Sequence, residues 1–410
     1  MAAFCRKPGL ITYPKTIFFS TLSSSPSPSP SSFSSFRAVK SAIQSESDPV
    51  KLAEIFQSSA NFGRFCRHRP LFHLSIRKLA RSHRFDLIER ILDHQLKTNF
   101  KHNCSEGFWI RIIMLYSSAG MVDQSVRTFD QMDRFNCPQT EKSLCAVLSV
   151  HLDNQMYDKI HEIFESVPPK NGISPGIKSY NLVLKAFCEE KRVQSARELL
   201  SKIENEAKVV PNIDSYNILL GAYSKVGNKV EFDGIVKEIL KKGLEPNLTT
   251  YNHRILTLCK NKECVRAKKL LDEMVLKGVK PNSATYDSLI FGFCKVGDLE
   301  SARKVLERMV GDRYVSPPSS AYYTLLRHMV EEGEFDSALD MCKEIIKRKW
   351  VPPFEAMQGL VTGLVERSKV EEAKEVVEKM KNRLRGTAVD SWGEIEAALP
   401  FLEVFSSITS

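Results

Sequence analysis

The chain has 410 residues, a formal net charge of +10, ten cysteines and nine histidines. No Cys-x-x-Cys, His-x-Glu or His-Glu-x-x-His occurs, so zinc-knuckle, zinc-deaminase and zincin chemistry lack their ligands. A Gly-rich phosphate loop and a Gly-x-Ser-x-Gly elbow are missing too, which leaves catalysis without a starting motif.

Residues 1–45 carry Arg6, Lys7, Lys15, Arg37 and Lys40 and no acidic residue; Glu46 is the first. The run is Ser-rich, is interrupted by SSSPSPSPSS, and has no continuous apolar core of the kind a secretory signal or membrane span needs. This is the composition of an organellar transit peptide, expected to be disordered through residue 45. The plainer reading is a disordered tail with no address. A basic amphipathic start from Arg6 to Phe19 favours the mitochondrion over the chloroplast, with cleavage guessed near Phe19–Ser20. Without these five cations the remainder keeps a net charge of about +5, which permits contact with phosphate but does not demand it. Residues 46–68 read as a helical lead-in.

From 69 to 388 the chain repeats itself. The stretch 177–212 (IKSYNLVLKAFCEEKRVQSARELLSKIENEAKVVPN) is followed by IDSYNILLGAYSKVGNKVEFDGIVKEILKKGLEPN at 213–247 and LTTYNHRILTLCKNKECVRAKKLLDEMVLKGVKPN at 248–282. Each copy opens on Tyr-Asn and closes on Pro-Asn, and a fixed period of 35–36 residues is the mark of a stacked repeat array. Apolar residues recur at three and four within a copy, which predicts two amphipathic helices; Pro near the end stops the second. One such hairpin cannot bury both faces, whereas a stack can. Projected outwards, the register gives units at about 69–105, 106–140, 141–176, 177–212, 213–247, 248–282, 283–318, 319–353 and 354–388, with degenerate ends. Position 20 is Ala196, Ala267, Ala302, Ala338 and Ala373, where the two helices must approach closely. Positions 24 and 27 are apolar throughout, from Phe129 and Met132 to Val377 and Met380. Position 15 is Gly120, Gly227, Gly297 and Gly333, which predicts a left-handed residue closing the first helix. Residues 389–410 read as a C-terminal cap and tail.

Cys188, Cys259 and Cys294 share position 12, a small-residue core site, and read as buried free thiols. The basic clusters Arg64/Arg67/Arg69, Arg77/Lys78/Arg81/Arg84 and Lys347/Arg348/Lys349 are open to two readings, phosphate contact or a solvated helix face.

A two-helix repeat of this length, opening on Ser/Thr-Tyr-Asn and closing on Lys-Pro-Asn, resembles the pentatricopeptide repeat of organellar RNA-binding proteins, in its P class. The tetratricopeptide repeat fits less well, because its Trp, Leu-Gly and Tyr marks are missing. The ending KVEEAKEVVEKMKNRL…SWGEIEAALP, with the degenerate first repeats, is similar to short plant mitochondrial members associated with the mitochondrial ribosome. The resemblance implies an all-α, right-handed solenoid with no cofactor, no small-molecule substrate and no membrane. It leaves no room after Ser391 for a deaminase or nuclease domain. Single-stranded RNA, ribosomal or messenger, and mitochondrial ribosomal proteins are the implied partners. A factor acting on free transcripts and a protein–protein scaffold are the alternative readings.

The resemblance also implies which side chains read bases, namely position 5 and the last residue of each repeat. Here those are Asn181 with Asn212, Asn217 with Asn247, and Asn252 with Asn282, a combination the family's code relates to pyrimidines, cytosine before uracil. Asp287 occupies position 5 of the next repeat. An amide offers both donor and acceptor to a base edge, yet an Asn at a helix start also serves as a cap and Pro-Asn as a turn. The remaining pairs (Ile110/Thr140, Cys145/Gly176, Asp287/Pro318, Tyr323/Pro353 and Gln358) have no clear reading. Position 2 holds Lys178, Asp214, Thr249 and Ala284 where the family has an aliphatic residue to sandwich the base. Three readable bases are too few to select one transcript.

Overall fold

The structure is a computed structural model that describes residues 35–61, 65, 68–100, 105–205 and 209–381. Every regular element among them is helical, and the chain divides into two compact units, one ending at Pro138 and the other beginning at Gln139.

The first unit holds helices Phe36–Ser45 and Pro49–Ser58 and two hairpins, Arg69–Arg81 with Phe85–Phe100 and Glu106–Ser118 with Val122–Arg134. The expectation of disorder through residue 45 is corrected here. Ser35 caps a helix from Phe36, and Val39 and Ile43 are fully buried in one cluster with Leu52, Phe56 and Phe72. Phe36, Val39 and Ile43 lie at helical spacing, a signal masked in the sequence by the Ser-rich, acid-free surroundings. Lys78 Nζ donates to the carbonyls of Ile43 (2.9 Å), Gln44 (2.8 Å) and Glu46 (2.8 Å), placing a cation on the C-terminal end of that helix. Arg84 forms a bidentate pair with Asp86 at 2.8–2.9 Å. Two members of the 77–84 cluster are therefore engaged within the fold. Arg64 and Arg67, the expected cleavage point and the tail at 389–410 lie outside the described residues.

The second unit stacks seven hairpins among the described residues. They are Glu141–Asp153/Tyr157–Asn171, Ile177–Glu189/Val193–Asn205, Ile213–Val226/Lys229–Lys241, Leu248–Lys260/Cys264–Leu276, Ser283–Lys295/Leu299–Gly311, Ser319–Glu331/Phe335–Lys347 and Phe354–Glu366/Val370–Lys381. Each first helix packs against the first helix of the next hairpin, forming one continuous layer. The core follows the predicted register. Position-20 alanines from Ala196 to Ala373 are fully buried, as are Ile203, Met274, Met309, Ile345 and Met380 at position 27. Cys259 and Cys294 are buried free thiols and Cys188 is half-buried; burial pushes each up to about 12.

The turn between helices is more uniform than its glycines suggest. Position 15 is left-handed at Gly120, Gly227, Gly297 and Gly333 (φ 75–78°), and equally at His83, Gln155, Lys191, Lys262 and Ser368 (φ 53–65°). The N–H of position 16 closes the helix onto the carbonyl of position 11, as from Glu263 to Leu258 (2.8 Å) and Asp298 to Phe293 (3.0 Å). Geometry dictates this conformation at each hairpin; glycine merely adopts it at lower cost.

Candidate nucleic-acid interface

The six asparagines singled out by the repeat sit together in pairs, one pair at each junction between successive hairpins. Asn212, Asn247 and Asn282 are the N-caps of the first helices that follow them, and each closes a capping box with Ser215, Thr250 or Thr285. Their Oδ1 atoms accept the backbone N–H of those residues at 3.1 Å. The preceding repeat supplies the second half. Asn181 Nδ2 donates to Asn212 Oδ1 (3.3 Å), Asn217 Nδ2 to Asn247 Oδ1 (3.0 Å) and Asn252 Nδ2 to Asn282 Oδ1 (3.2 Å). The hydroxyls of Ser215, Thr250 and Thr285 donate back to Asn181, Asn217 and Asn252 Oδ1 at 2.7, 2.8 and 2.6 Å. Capping and the cross-repeat pair are thus one network.

That network fixes the orientation of every amide. A backbone N–H can only donate, so the capping atom of Asn212, Asn247 and Asn282 has to be oxygen. The atom of the preceding Asn facing that oxygen then has to be nitrogen. Each junction keeps both Nδ2 protons of the last-position Asn and one of the position-5 Asn without a hydrogen-bond partner among the described residues. Against these three N–H groups stands one spare carbonyl lone pair on the position-5 Asn. The edge is predominantly a donor, and it is preorganised because every amide is held by its cap.

The ladder is bounded at both ends by carboxylates. At the junction before Asn181 the cap is Gly176, and the Ser179 N–H donates to Glu141 Oε1 of the previous repeat (3.3 Å). A Cβ on Gly176 would stand 2.5 Å from that carboxylate, so a larger residue there would make the Glu141 side chain move. Beyond Asn282 the equivalent trio is Asp287, Pro318 and Ala321, which can make none of the ladder's bonds. Pro318 caps without a side-chain hydrogen bond, and Asp287 Oδ1 is buried with no hydrogen-bond partner among the described residues. Its removal from water raises the carboxyl's pKa. Asp287 therefore belongs to the same register position as the asparagines but presents acceptors where they present donors.

Sequence reasoning passed over two sets of residues on these same helices. Ser215, Thr250 and Thr285 at position 3 tie the asparagines together; Asn-x-x-Ser/Thr before an apolar run is the signal that would have found them. Lys225, Lys260 and Lys295 share position 13 of three successive first helices. Lys225 pairs with Glu189 at 3.0 Å, and Lys260 Nζ reaches the Ser224 carbonyl at 3.1 Å. Between the two sets lies a depression of about 370 Å³ lined by Asn217, Gly221, Lys225, Thr249 and His253, among others. Burial, reinforced by Lys225 and Lys260, lowers the His253 pKa, which keeps its imidazole neutral near pH 7. A Cβ on Gly221 would come within 3.1 Å of that ring.

The profile of the PPR repeat family matches residues 175–225 and 246–295, and that of the PPR repeat matches 108–137, 214–244, 284–314 and 358–383. A mitochondrial pentatricopeptide repeat-containing protein of Arabidopsis thaliana is 39% identical over 366 residues, covering 89% of each chain. The chain belongs to the pentatricopeptide repeat family. Two further Arabidopsis relatives carry ribosomal names. The small ribosomal subunit protein mL103 is 28% identical over 363 residues, 88% of this chain and 87% of its own. The small ribosomal subunit protein mS78 is 31% identical over 160 residues, 39% of this chain and 40% of its own. The crystal structure of the pentatricopeptide repeat protein PPR10 from maize shares 16% identity with a TM-score of 0.41, covering 91% of this chain and 70% of that one.

Proposed function

We propose that this pentatricopeptide repeat protein binds single-stranded RNA along its layer of first helices, without catalysing a reaction on it. The observation that carries the reading is the ladder of preorganised amides, five of them half-buried and Asn217 buried, whose remaining N–H groups have no hydrogen-bond partner among the described residues. Three adjacent acceptor-seeking edges suit pyrimidines best. Cytosine offers O2 and N3 as neighbouring acceptors and an N4 donor for the spare lone pair, uracil separates its acceptors with an N–H, and guanine offers mainly donors there. Lys225, Lys260 and Lys295 supply cations in the last two repeats of the ladder and the one that follows, suited to the phosphates of such a strand.

The setting we propose is the mitochondrial matrix, on the mitochondrial ribosome and in support of translation, with ribosomal proteins as neighbours. The relatives named for mitochondria and for ribosomal subunits support this, as does a reading frame of only three bases, too short to select a transcript by sequence. A removed leader would end before Phe36, because cleavage at residue 45 would take Val39 and Ile43 out of the first unit's core.

The test combines two measurements. Equilibrium binding to an RNA carrying a run of cytosines should be weakened tenfold or more by Asn217→Ala with Asn252→Ala, two lost hydrogen-bonded edges at about 0.5–1.5 kcal/mol or more each. Unchanged binding would return the chain to the scaffold reading. Sedimentation of organelle extract with and without ribonuclease should place the protein with a ribosomal subunit; migration with free transcripts, or recovery from chloroplasts, would contradict the proposed setting.

A further inference from the structure

At the end of each hairpin opposite position 15, the chain leaves the second helix and crosses to the next repeat through positions 29–33. In the four repeats from 213 to 353 these positions hold Lys241, Lys242, Lys277, Lys280, Arg313, Lys347, Arg348 and Lys349, against the two carboxylates of Glu245 and Asp312. The opposite end of the same hairpins, around positions 13–17, is balanced. There Lys225, Lys229, Lys260, Lys262 and Lys295 face Glu263, Asp298, Glu331, Glu332 and Glu334. One edge of this stack is thus selectively basic.

Most of the basic edge is not neutralised within the protein. Lys242 pairs with Glu204, Lys277 with Glu273 and Arg348 with Glu344, each at 2.9–3.1 Å. Lys241, Lys280, Arg313, Lys347 and Lys349 are exposed and have no carboxylate partner among the described residues. Neighbouring crossings touch, since Lys280 Nζ lies 3.8 Å from the centroid of the Tyr314 ring in the next repeat. Tyr314 is 74% exposed on this rim. Trp350 follows one repeat later, under Arg348.

From this edge we infer a second RNA-binding surface, one that takes the phosphate backbone of base-paired RNA flanking the strand held by the asparagine ladder. The inference rests on the RNA-binding reading above. Cations recurring in every one of these repeats across packed hairpins present a row of point charges on an exposed rim, with Tyr314 and Trp350 as its rings. Paired RNA is met in this way, through its shape and phosphates, because its bases are already engaged with each other. An acidic protein segment would be the competing partner, but nothing on this edge besides charge would select a peptide.

The experiment uses the full chain, a fully paired RNA duplex without single-stranded ends, and a cytosine-run oligonucleotide. Replacing Lys280→Glu, Arg313→Glu, Lys347→Glu and Lys349→Glu should weaken duplex binding at least tenfold. It should also lower the slope of log affinity against log salt by roughly 3 to 4, at about 0.9 per phosphate contact. Binding of the cytosine run should stay within twofold, which also reports that the variant folds. Asn217→Ala with Asn252→Ala should do the reverse, so a failure of the ladder reading leaves the edge independently measured. Duplex binding that survives the four reversals, a parallel loss of both RNAs, or wild-type protein that prefers polyglutamate to the duplex would each overturn the inference.

Discussion

The repeats at 177–282 and those at 283–388 share one core and differ at their polar junctions. Both regions bury a tyrosine at position 4, with Tyr251 hydrogen-bonded to Glu273 at 3.2 Å and Tyr286 to Asp312 at 3.0 Å. Both bury alanine at position 20 and an apolar residue at position 27, and both turn through a left-handed position 15. Only the first region links its repeats through paired asparagines. In the second, Pro318 and Pro353 start the helices without any side-chain cap bond, and Asp287 is left with a buried, unpartnered oxygen. Stacking and amide display are therefore separable, so a repeat can keep its place in the solenoid after losing the groups that would face a base.

The largest expected effect is one in which the two regions behave alike. Tyr251→Ala and Tyr286→Ala should each cost about 3–5 kcal/mol in chemical denaturation, because each empties the same aromatic site between the helices. A cost confined to Tyr251 would mean that the second region is held together differently.

A smaller effect separates residues by backbone conformation. Lys262→Gly should stabilise by about 1 kcal/mol and Gly297→Ala should destabilise by about 1 kcal/mol, since the two positions share one left-handed turn. Equal and negligible effects would show that the turn relaxes when its residue changes.

The third effect is a stabilisation on acidification that the second region carries through Asp287. The folded-state pKa of Asp287 lies above its unfolded value, so its ionised form opposes folding. The native state then binds the proton more readily than the unfolded one, and stability falls as pH rises through the folded pKa. Asp287→Asn should be more stable than wild type at pH 7, and the difference should shrink on acidification toward the ordinary carboxylate range. A difference that does not change with pH would mean that the carboxyl is solvated.

Much of the fold was legible because the repeat supplies its own alignment. One helix with Ala, Leu and Ile at spacing three and four is a weak signal; the same residues at positions 20, 24 and 27 of successive copies fix which face is inside. Conformation at position 15 was only partly legible, since His83, Gln155, Lys191, Lys262 and Ser368 conceal a turn that four glycines advertise. Residues 36–45 were not legible as a helix, because Ser-rich, acid-free surroundings mask Phe36, Val39 and Ile43 at helical spacing. At the candidate site, the asparagines were legible as residues but not as pairs. Asn217 and Asn247 stand 30 residues apart, and their contact depends on Thr250 beneath them, so capping and base reading were set against each other where the fold makes them one arrangement.

The central claim is that a capped amide pair at a repeat junction addresses one pyrimidine. Transplanting the trio into the next junction, with Asp287→Asn, Pro318→Asn and Ala321→Thr, and titrating wild type and variant with RNAs bearing cytosine runs of increasing length tests it most directly. The account predicts that affinity levels off at three cytosines for wild type and at four for the variant. Identical dependence on run length for the two proteins would contradict it.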